Sequence, residues 1–331
     1  MEGLRDILES LALGRDLSGE QTTLVFDALM GGQLTPSQAG ALLMGLRAKG
    51  ETPIELAAAV SGALRHAKLL EGLAGPCIDT CGTGGDGTCS FNCSTAVALF
   101  LADMGYQVVK HGNRAVSSSC GSADAVEAVG LPLPKEPGEA AAELARRNFV
   151  FLFAPFYHPA FANVAPTRRE LGIRTMFNFM GPLLNPARPT HQLLGVGVAG
   201  ALDLMAQALA LTGVDEALVV HGFGGFDELT TFGPAQVRRV RRGRAEPLVI
   251  DPQVLGLPRH RPEDVRVDGK DQAIAVLKDV LSGRGNPAMR DMTALNLAAC
   301  LSLLTDSPLG DCLPRAREKV SAGLSGEVLH A

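Results

Sequence analysis

Residues 79–122, DTCGTGGDGTCSFNCSTAVALFLADMGYQVVKHGNRAVSSSCGS, constrain this chain more than any other stretch. A short apolar run, Cys77-Ile78, ends at Asp79 and leads into the turn Gly82-Thr83-Gly84-Gly85-Asp86-Gly87. Asn92-Cys93-Ser94-Thr95 then opens an apolar helical stretch, and a second apolar run, Val108-Val109, feeds Lys110-His111-Gly112-Asn113-Arg114. Closely spaced glycines free the main chain to point consecutive N–H groups at one ligand. A helix start adds its own unpaired N–H groups and its positive dipole end. Together these parts read as a cradle for an anion, phosphate above all. An ordinary glycine turn before a capped helix uses the same residues, so the turn alone does not decide. No Gly-Lys-Ser/Thr closes it as a P-loop would, and Asp86 stands where a dinucleotide fingerprint needs close helix packing. An acid inside a phosphate cradle suits a site shared with a metal ion or a sugar hydroxyl.

From Pro76 onward short apolar runs alternate with helical stretches. Ile78, Val108-Val109 and residues 149–153, 193–198 and 217–220 are predicted strands; residues 95–104, 123–129 and 138–147 are predicted helices. That alternation implies a mainly parallel sheet with helices on its faces, ligands sitting beyond the strands' carboxyl ends. Residues 79–87, 110–114, 154–158 and 221–228 each follow a predicted strand and should line one rim. Residues 1–69 read instead as helices. Ser18/Gln21 and Thr52/Glu55 have capping-box spacing, and Ala39, Leu42, Leu43 and Leu46 fall on one helical face after Thr35-Pro36. The expected architecture is α/β: a small N-terminal helical domain, residues 1–69, and a larger α/β domain, residues 70–331, with a mainly parallel central sheet. Residues 159–185 are expected to pack toward the helical part.

The formal charge of −5 argues against a generic nucleic-acid coat. No apolar run is long enough to cross a bilayer, and the start, with acids among its apolar residues, lacks a signal-peptide layout, so a cytoplasmic protein is expected. Seven cysteines in a chain of this size are expected to be free thiols. Cys77, Cys81, Cys89 and Cys93 fit no standard zinc spacing. Asp227-Glu228, after Gly222-Phe223-Gly224-Gly225-Phe226, suits Mg²⁺, although adjacent acids on a loop are more often a solvated turn. Arg168 and Arg169 either lie solvated on a helix face or clamp a carboxylate at the rim. Arg238, Arg239, Arg241, Arg242 and Arg244, lacking interleaved aromatics, read as a solvated edge hairpin turning at Gly243. Residues 291–304 form a predicted apolar helix that closes the large domain.

GTGGDG, FNCST, KHGNRAVSS followed by GSAD, the HPAF and VAPTRRELGIRT segments, GPLLNPA, VVHGFGGFDE and RD-x-x-x-LN occur here in series. In that order and spacing they resemble the anthranilate phosphoribosyltransferase family over nearly the whole chain. The family belongs to the nucleoside phosphorylase/phosphoribosyltransferase fold class and joins anthranilate to phosphoribosyl pyrophosphate in tryptophan biosynthesis, releasing pyrophosphate. The resemblance implies that Gly82, Gly85, Asp86, Ser90, Asn92, Cys93, Ser94 and Thr95 hold the phosphoribosyl donor. Lys110, His111, Gly112, Asn113, Arg114, Ala115, Val116, Ser117, Ser118 and Ser122 would complete that pocket. It assigns anthranilate to Gly82, Asn113, His158 and Arg168, Mg²⁺ to Ser94, Asp227 and Glu228, and catalysis to Asn113, Arg168 and Lys110. It further implies a homodimer formed through the helical part, with neither nucleic acid nor membrane as partner.

Ser119-Cys120, Ser90 and Tyr157 depart from common family residues, and Tyr157 beside the HPA motif bears on which aromatic acceptor is used. A pyrimidine nucleoside phosphorylase-like enzyme with another acceptor is one rival reading, which Asn113 and the Arg168 segment disfavour. A non-catalytic nucleic-acid binder working through residues 238–244 is another, and the charge of −5 and the Asp227-Glu228 pair disfavour it.

Overall fold

The computed structural model describes residues 3–84, 87–88, 90–114 and 120–330. Four helices come first: α1 (Leu4–Ala12), α2 (Gly19–Met30), α3 (Pro36–Lys49) and α4 (Pro53–Leu64). Ser18, Thr35 and Thr52 each cap the helix that follows, in reciprocal boxes with Gln21, Gln38 and Glu55. Glu55 is fully buried and does more than cap: it accepts from the Leu17 N–H at 2.8 Å and pairs with Lys49 at 2.8 Å. One carboxylate thereby ties the loop before α2 to the end of α3.

The rest of the chain builds one seven-stranded sheet. Its elements in order are β1 (Cys77–Gly82), α5 (Cys93–Asp103), β2 (Gln107–Gly112), α6 (Ser122–Ala128), α7 (Pro137–Arg147), β3 (Phe149–Phe153) and α8 (Ala154–Tyr157). There follow α9 (Ala165–Leu171), α10 (Phe177–Met180), β4 (His191–Gly195), α11 (Leu202–Ala210), β5 (Glu216–His221), β6 (Ala235–Arg241) and β7 (Arg244–Ile250). The chain finishes with α12 (Lys270–Leu281), α13 (Pro287–Thr305), α14 (Leu309–Ala322) and a last short turn of helix. Strand order is β3-β2-β1-β4-β5-β6-β7, with the first five strands parallel and the last two antiparallel. The order runs outward in both directions from β1, so the crevice beyond β1 and β4 is a topological switch point.

Strand pleating sorts side chains between two cores. Ile78, Val108, Phe151, Leu193 and Leu218 pack on the face covered by α5, α6, α12, α13 and α14. Leu194, Val219 and Ala217 pack on the opposite face with α10, α11 and the N-terminal helices. That second core is continuous: Phe26, Leu43 and Leu56 share it with Val164, Met176, Phe177 and Met180. Cys77, Val109 and Tyr157 form a smaller third cluster.

Three features differ from the sequence expectation. β1 does not end at Asp79 but runs on to Gly82, so Asp79 lies inside the sheet, fully buried, rather than on the rim. β4 begins at His191, two residues early, because His191 and Gln192 pair with β1 on one side and β5 on the other; residues 196–198 leave the ladder. The arginines of β6 are not merely solvated: Arg239 and Arg241 pair with Glu216 and Asp306, and Arg238 with Asp203. Cys77 and Cys93 lie in cores on opposite sheet faces, which breaks up the cysteine set read from the sequence; Cys89 lies outside the described residues.

Candidate active site

Strand ends bring the first group of side chains together. Gly82 and Gly195 are neighbours in the β1–β4 register, at the switch point, and the loop after β5 crosses over both. A Cβ at Gly195 would lie 1.4 Å from the Asp227 carbonyl oxygen, and one at Gly82 would lie 2.2 Å from Asp227 Oδ2. A Cβ at Gly222 would meet the Glu228 carbonyl oxygen at 2.0 Å. Three missing side chains therefore make the floor on which the acid pair rests.

The carboxylates reach back to the glycine turn and to the start of α5. Asp227 Oδ2 accepts from the Gly84 N–H at 2.9 Å. Glu228 Oε1 accepts from the Ser94 N–H at 3.3 Å, and its Oε2 lies 3.4 Å from the Ser90 hydroxyl. Ser94 Oγ lies 3.2 Å from Lys110 Nζ, which also donates to the Thr80 carbonyl. Lys110 is almost wholly buried. Its burial pushes the ammonium pKa down, against the pull of Asp79. Burial likewise pushes the Asp79 carboxyl up to about 6, against Lys110 and a hydrogen bond from Asn185.

Asn185 was not singled out in the sequence. It lies in the GPLLNPA turn, buried, donating to Asp79 Oδ2 at 2.8 Å and to the Val109 carbonyl at 2.6 Å. An asparagine three residues past the proline of a Gly-Pro turn signals a local Asx bond, which it also makes, accepting from the Ala187 N–H at 2.9 Å. Its long-range bonds leave no mark in the sequence.

A second group lines the side toward the helical part. The His111 and His158 rings meet edge to face at 5.1 Å, His158 meets Phe161 at 5.6 Å, and Phe161 meets Phe177 at 5.5 Å. The Arg168 guanidinium stacks 4.8 Å from the Phe177 ring centre. Burial, reinforced by His158, pushes His111 down to about 3, and burial pushes His158 down to about 4, so both rings are neutral at pH 7. The Leu184 main chain lies near His158 but outside hydrogen-bond geometry, leaving both of its ring nitrogens without a partner among the described residues. Phe161 and Phe177 escaped the sequence reading because single aromatics in a loop look like core.

Not every expected residue faces these groups. Arg114 is drawn to α6, pairing with Asp124 at 2.9 Å and Glu127 at 2.7 Å. Cys93 buries its side chain completely, leaving its main chain at the helix start. Asn92 occupies the N-cap of α5 without making a side-chain cap bond, and Thr95 is buried behind it. Asn113 accepts from the Arg114 N–H at 2.7 Å and offers its carbonyl to Ser122 Oγ at 3.4 Å, while Gly112 lets Ser122 approach. Tyr157 is fully buried in the third cluster, its hydroxyl donating to the Pro134 carbonyl at 3.1 Å. Gly85, Asp86, Ala115, Val116, Ser117, Ser118 and Ser119 lie outside the described residues.

Residues 5–67 match the family model described as the glycosyl transferase family helical bundle domain, and residues 74–325 match its a/b domain. The chain is 55% identical over 327 residues to the anthranilate phosphoribosyltransferase of Oleidesulfovibrio alaskensis, covering 98% of this chain and 99% of that protein. The chain belongs to the anthranilate phosphoribosyltransferase family. Among solved structures, the family member from Thermus thermophilus superposes with a TM-score of 0.88 at 39% identity, covering 98% of this chain and 97% of that one. The Saccharomyces cerevisiae member in complex with PRPP and Mg gives 0.88 at 27% identity, covering 100% of this chain and 97% of that one.

Proposed function

We infer that this chain transfers the phosphoribosyl group of phosphoribosyl pyrophosphate to the amino group of anthranilate, releasing pyrophosphate, in tryptophan biosynthesis. The reading rests on the Asp227-Glu228, Ser94 and Lys110 group beyond the ends of β1 and β4, and on a neutral aromatic cluster that starts one residue past Lys110, at His111, and leads to Arg168. The donor's charged phosphates match the first group, and a flat aromatic acid matches the second.

In this reading Gly82, Gly84, the α5 N-terminus, Lys110 and the segment from His111 to Ser122 bind the donor. Main-chain N–H groups and a buried lysine stabilise charge more strongly in a water-poor site than in bulk water. The donor set fits Mg²⁺: two adjacent carboxylates and the Ser94 hydroxyl gather here, and no set of three His, Cys, Asp or Glu side chains does so among the described residues. Mg²⁺ prefers such partial sites because substrate oxygens and water complete its shell. Asp227, Glu228 and Ser94 would hold it, and when bound it would neutralise charge building on the leaving pyrophosphate.

Arg168 orients the anthranilate carboxylate, held in place by its stack on Phe177. His158 and His111 stay uncharged and present an aromatic wall beside the acceptor. Asn113, one residue past the carboxyl end of β2, positions the attacking amine. An aryl amine is already neutral at pH 7, so positioning contributes more than a strong base would. We assign residues 1–69 to a helical domain that closes over residues 70–331, with residues 159–185 against it, excluding water from the activated ribose. Leu13, Leu24 and Met44, each roughly half exposed on the helical part, support a homodimer formed there. Free buried thiols fit a reducing cytoplasm.

The test mixes protein, anthranilate, phosphoribosyl pyrophosphate and Mg²⁺ and follows anthranilate fluorescence, with controls lacking metal or donor. Fluorescence loss that needs both supports the reading. Loss with neither required, or none while the donor still binds, refutes the acceptor assignment.

A further inference from the structure

The Asp227-Glu228 pair has a floor of glycines, but a floor does not fix a loop sideways. The residue after the pair, Leu229, is fully buried, and both its main-chain polar groups are held by one side chain. Asn296, 2% exposed in the middle of α13, accepts from the Leu229 N–H through Oδ1 at 3.1 Å. Its Nδ2 donates to the Leu229 carbonyl at 2.7 Å and to the Met292 carbonyl of its own helix at 2.8 Å. Leu229 N–H belongs to the Glu228–Leu229 peptide, and the Leu229 carbonyl to the next peptide. Holding both fixes the planes on either side of Leu229 and with them the direction in which Glu228 leaves the main chain. The partners also fix which way the amide faces, since only its oxygen can meet the N–H.

An amide is the one short side chain that can do this. Aspartate has no donor for the two carbonyls, serine is too short to span both groups, and an apolar residue would strand a buried N–H and carbonyl. The anchorage is rigid as well. Helix α13 starts at Pro287 behind an Asn286 cap and packs on α5, whose Ser94 N–H meets Glu228 Oε1. Phe226 and Phe232 close the loop from beneath, their rings 5.2 Å apart.

We propose that Asn296 is a positioning residue of the donor site, aiming the Glu228 carboxylate toward Mg²⁺ and the phosphoribosyl donor by gripping both main-chain groups of Leu229. This rests on the reading of Asp227 and Glu228 as the metal-binding acids. It gives the LN of RD-x-x-x-LN a role that neither binding nor packing assigned.

The experiment compares Asn296→Ser and Asn296→Asp with Leu301→Ala, a buried apolar change about one and a half turns further along α13. Each is melted without ligand, titrated calorimetrically with phosphoribosyl pyrophosphate in Mg²⁺, and assayed for Mg²⁺ half-saturation and for KM of anthranilate. Both Asn296 variants should weaken donor and metal binding about tenfold or more while the anthranilate KM moves less than about threefold, the range typical of groups that orient metal ligands. Leu301→Ala should lower the melting temperature and leave donor and metal binding alone. Unchanged donor and metal binding in the Asn296 variants, an equal shift in Leu301→Ala, or loss of the fold in both Asn296 variants would each overturn the proposal. Asp227→Asn/Glu228→Gln run alongside separates the two layers. If the double variant also leaves the metal profile unchanged, the reading of the acids fails and takes this proposal with it; if only the double variant shifts, this proposal alone fails.

Discussion

Gly195→Ala is the sharpest perturbation the site offers, because one methyl group meets the backbone that carries the acid pair. Side-chain Cβ atoms essentially never come within 3.0 Å of such an atom, yet an alanine Cβ here would start 1.4 Å from the Asp227 carbonyl oxygen. Something must move by about 1.6 Å, the difference between those distances. β4 cannot yield, since Gly195 is paired to Gly82 on one side and Val220 on the other. The 227–228 loop must therefore lift. Its contacts have little slack: Glu228 Oε1 is already 3.3 Å from the Ser94 N–H, and Asp227 Oδ2 is 2.9 Å from the Gly84 N–H.

A misplacement of ~1 Å in a catalytic constellation costs about 100-fold. At about 1.4 kcal/mol per tenfold, Gly195→Ala should raise the barrier by ~3 kcal/mol or more, read as kcat/KM for the donor at saturating anthranilate. Stability should fall by about 1–3 kcal/mol, the ordinary cost of overpacking, so the variant still folds. Gly82→Ala tests the gradient. Its Cβ would meet only the far end of the Asp227 side chain, which can rotate, so it should cost less stability while still pulling the carboxylate off Gly84. Gly138→Ala, in α7 with open space around it, should gain about 0.4–1 kcal/mol through the unfolded chain and leave the rate unchanged. A folded Gly195→Ala protein with donor kcat/KM within about threefold of the parent would refute the idea that these glycines set the acids' position.

Arg168→Ala should raise the anthranilate KM by about 10- to 100-fold, the worth of a charge-assisted carboxylate bond, and leave the donor KM nearly unmoved; equal effects on both in steady-state kinetics would sink the assignment. Asp227→Asn with Glu228→Gln should displace or abolish the Mg²⁺ dependence of the rate, and an identical metal titration would remove both from the metal site. Asp79 gives a pH prediction with a definite sign. Its folded pKa of about 6 lies above the unfolded value of about 3.9, so its protonated form favours the folded state. That contribution is fully present below about pH 3.9 and is lost as pH rises through about 6. Melting curves between pH 4 and 7 should therefore show the stability advantage of the parent over Asp79→Asn shrinking across that window. A pH-independent difference contradicts a raised Asp79.

The alternation of apolar runs with helical stretches was enough to place five strands and the rim, because burial on both sheet faces forces continuous apolar segments at short spacing. The capping boxes of α2 and α4 were legible for a similar reason: their partners are three residues apart, and both lie in the sequence side by side. Misreadings came where a residue's fate is decided by another strand. Asp79 looked like a strand end because carboxylates seldom sit inside sheets, but Asn185, over a hundred residues away, supplies the hydrogen bond that lets it stay. The β6 arginines looked solvated because Glu216 and Asp306, which neutralise them, come from β5 and the end of α13.

The same division runs through the site. The glycine turn, the Lys110 loop and the acid pair could each be read as pieces, since their residue types announce the chemistry. What holds them at working distance could not. Gly195 reads as an ordinary strand glycine and Asn296 as one polar residue in an apolar helix; only the register of β1 against β4 and the packing of α13 on α5 bring both to the same loop. Chemistry in such a site is written in local motifs, whereas its geometry is held by residues chosen for what they lack or for a single amide. A glycine absent of side chain and an asparagine able to give and accept at once have no distinctive spacing to search for. They become visible when one asks of each acid what stops it from moving.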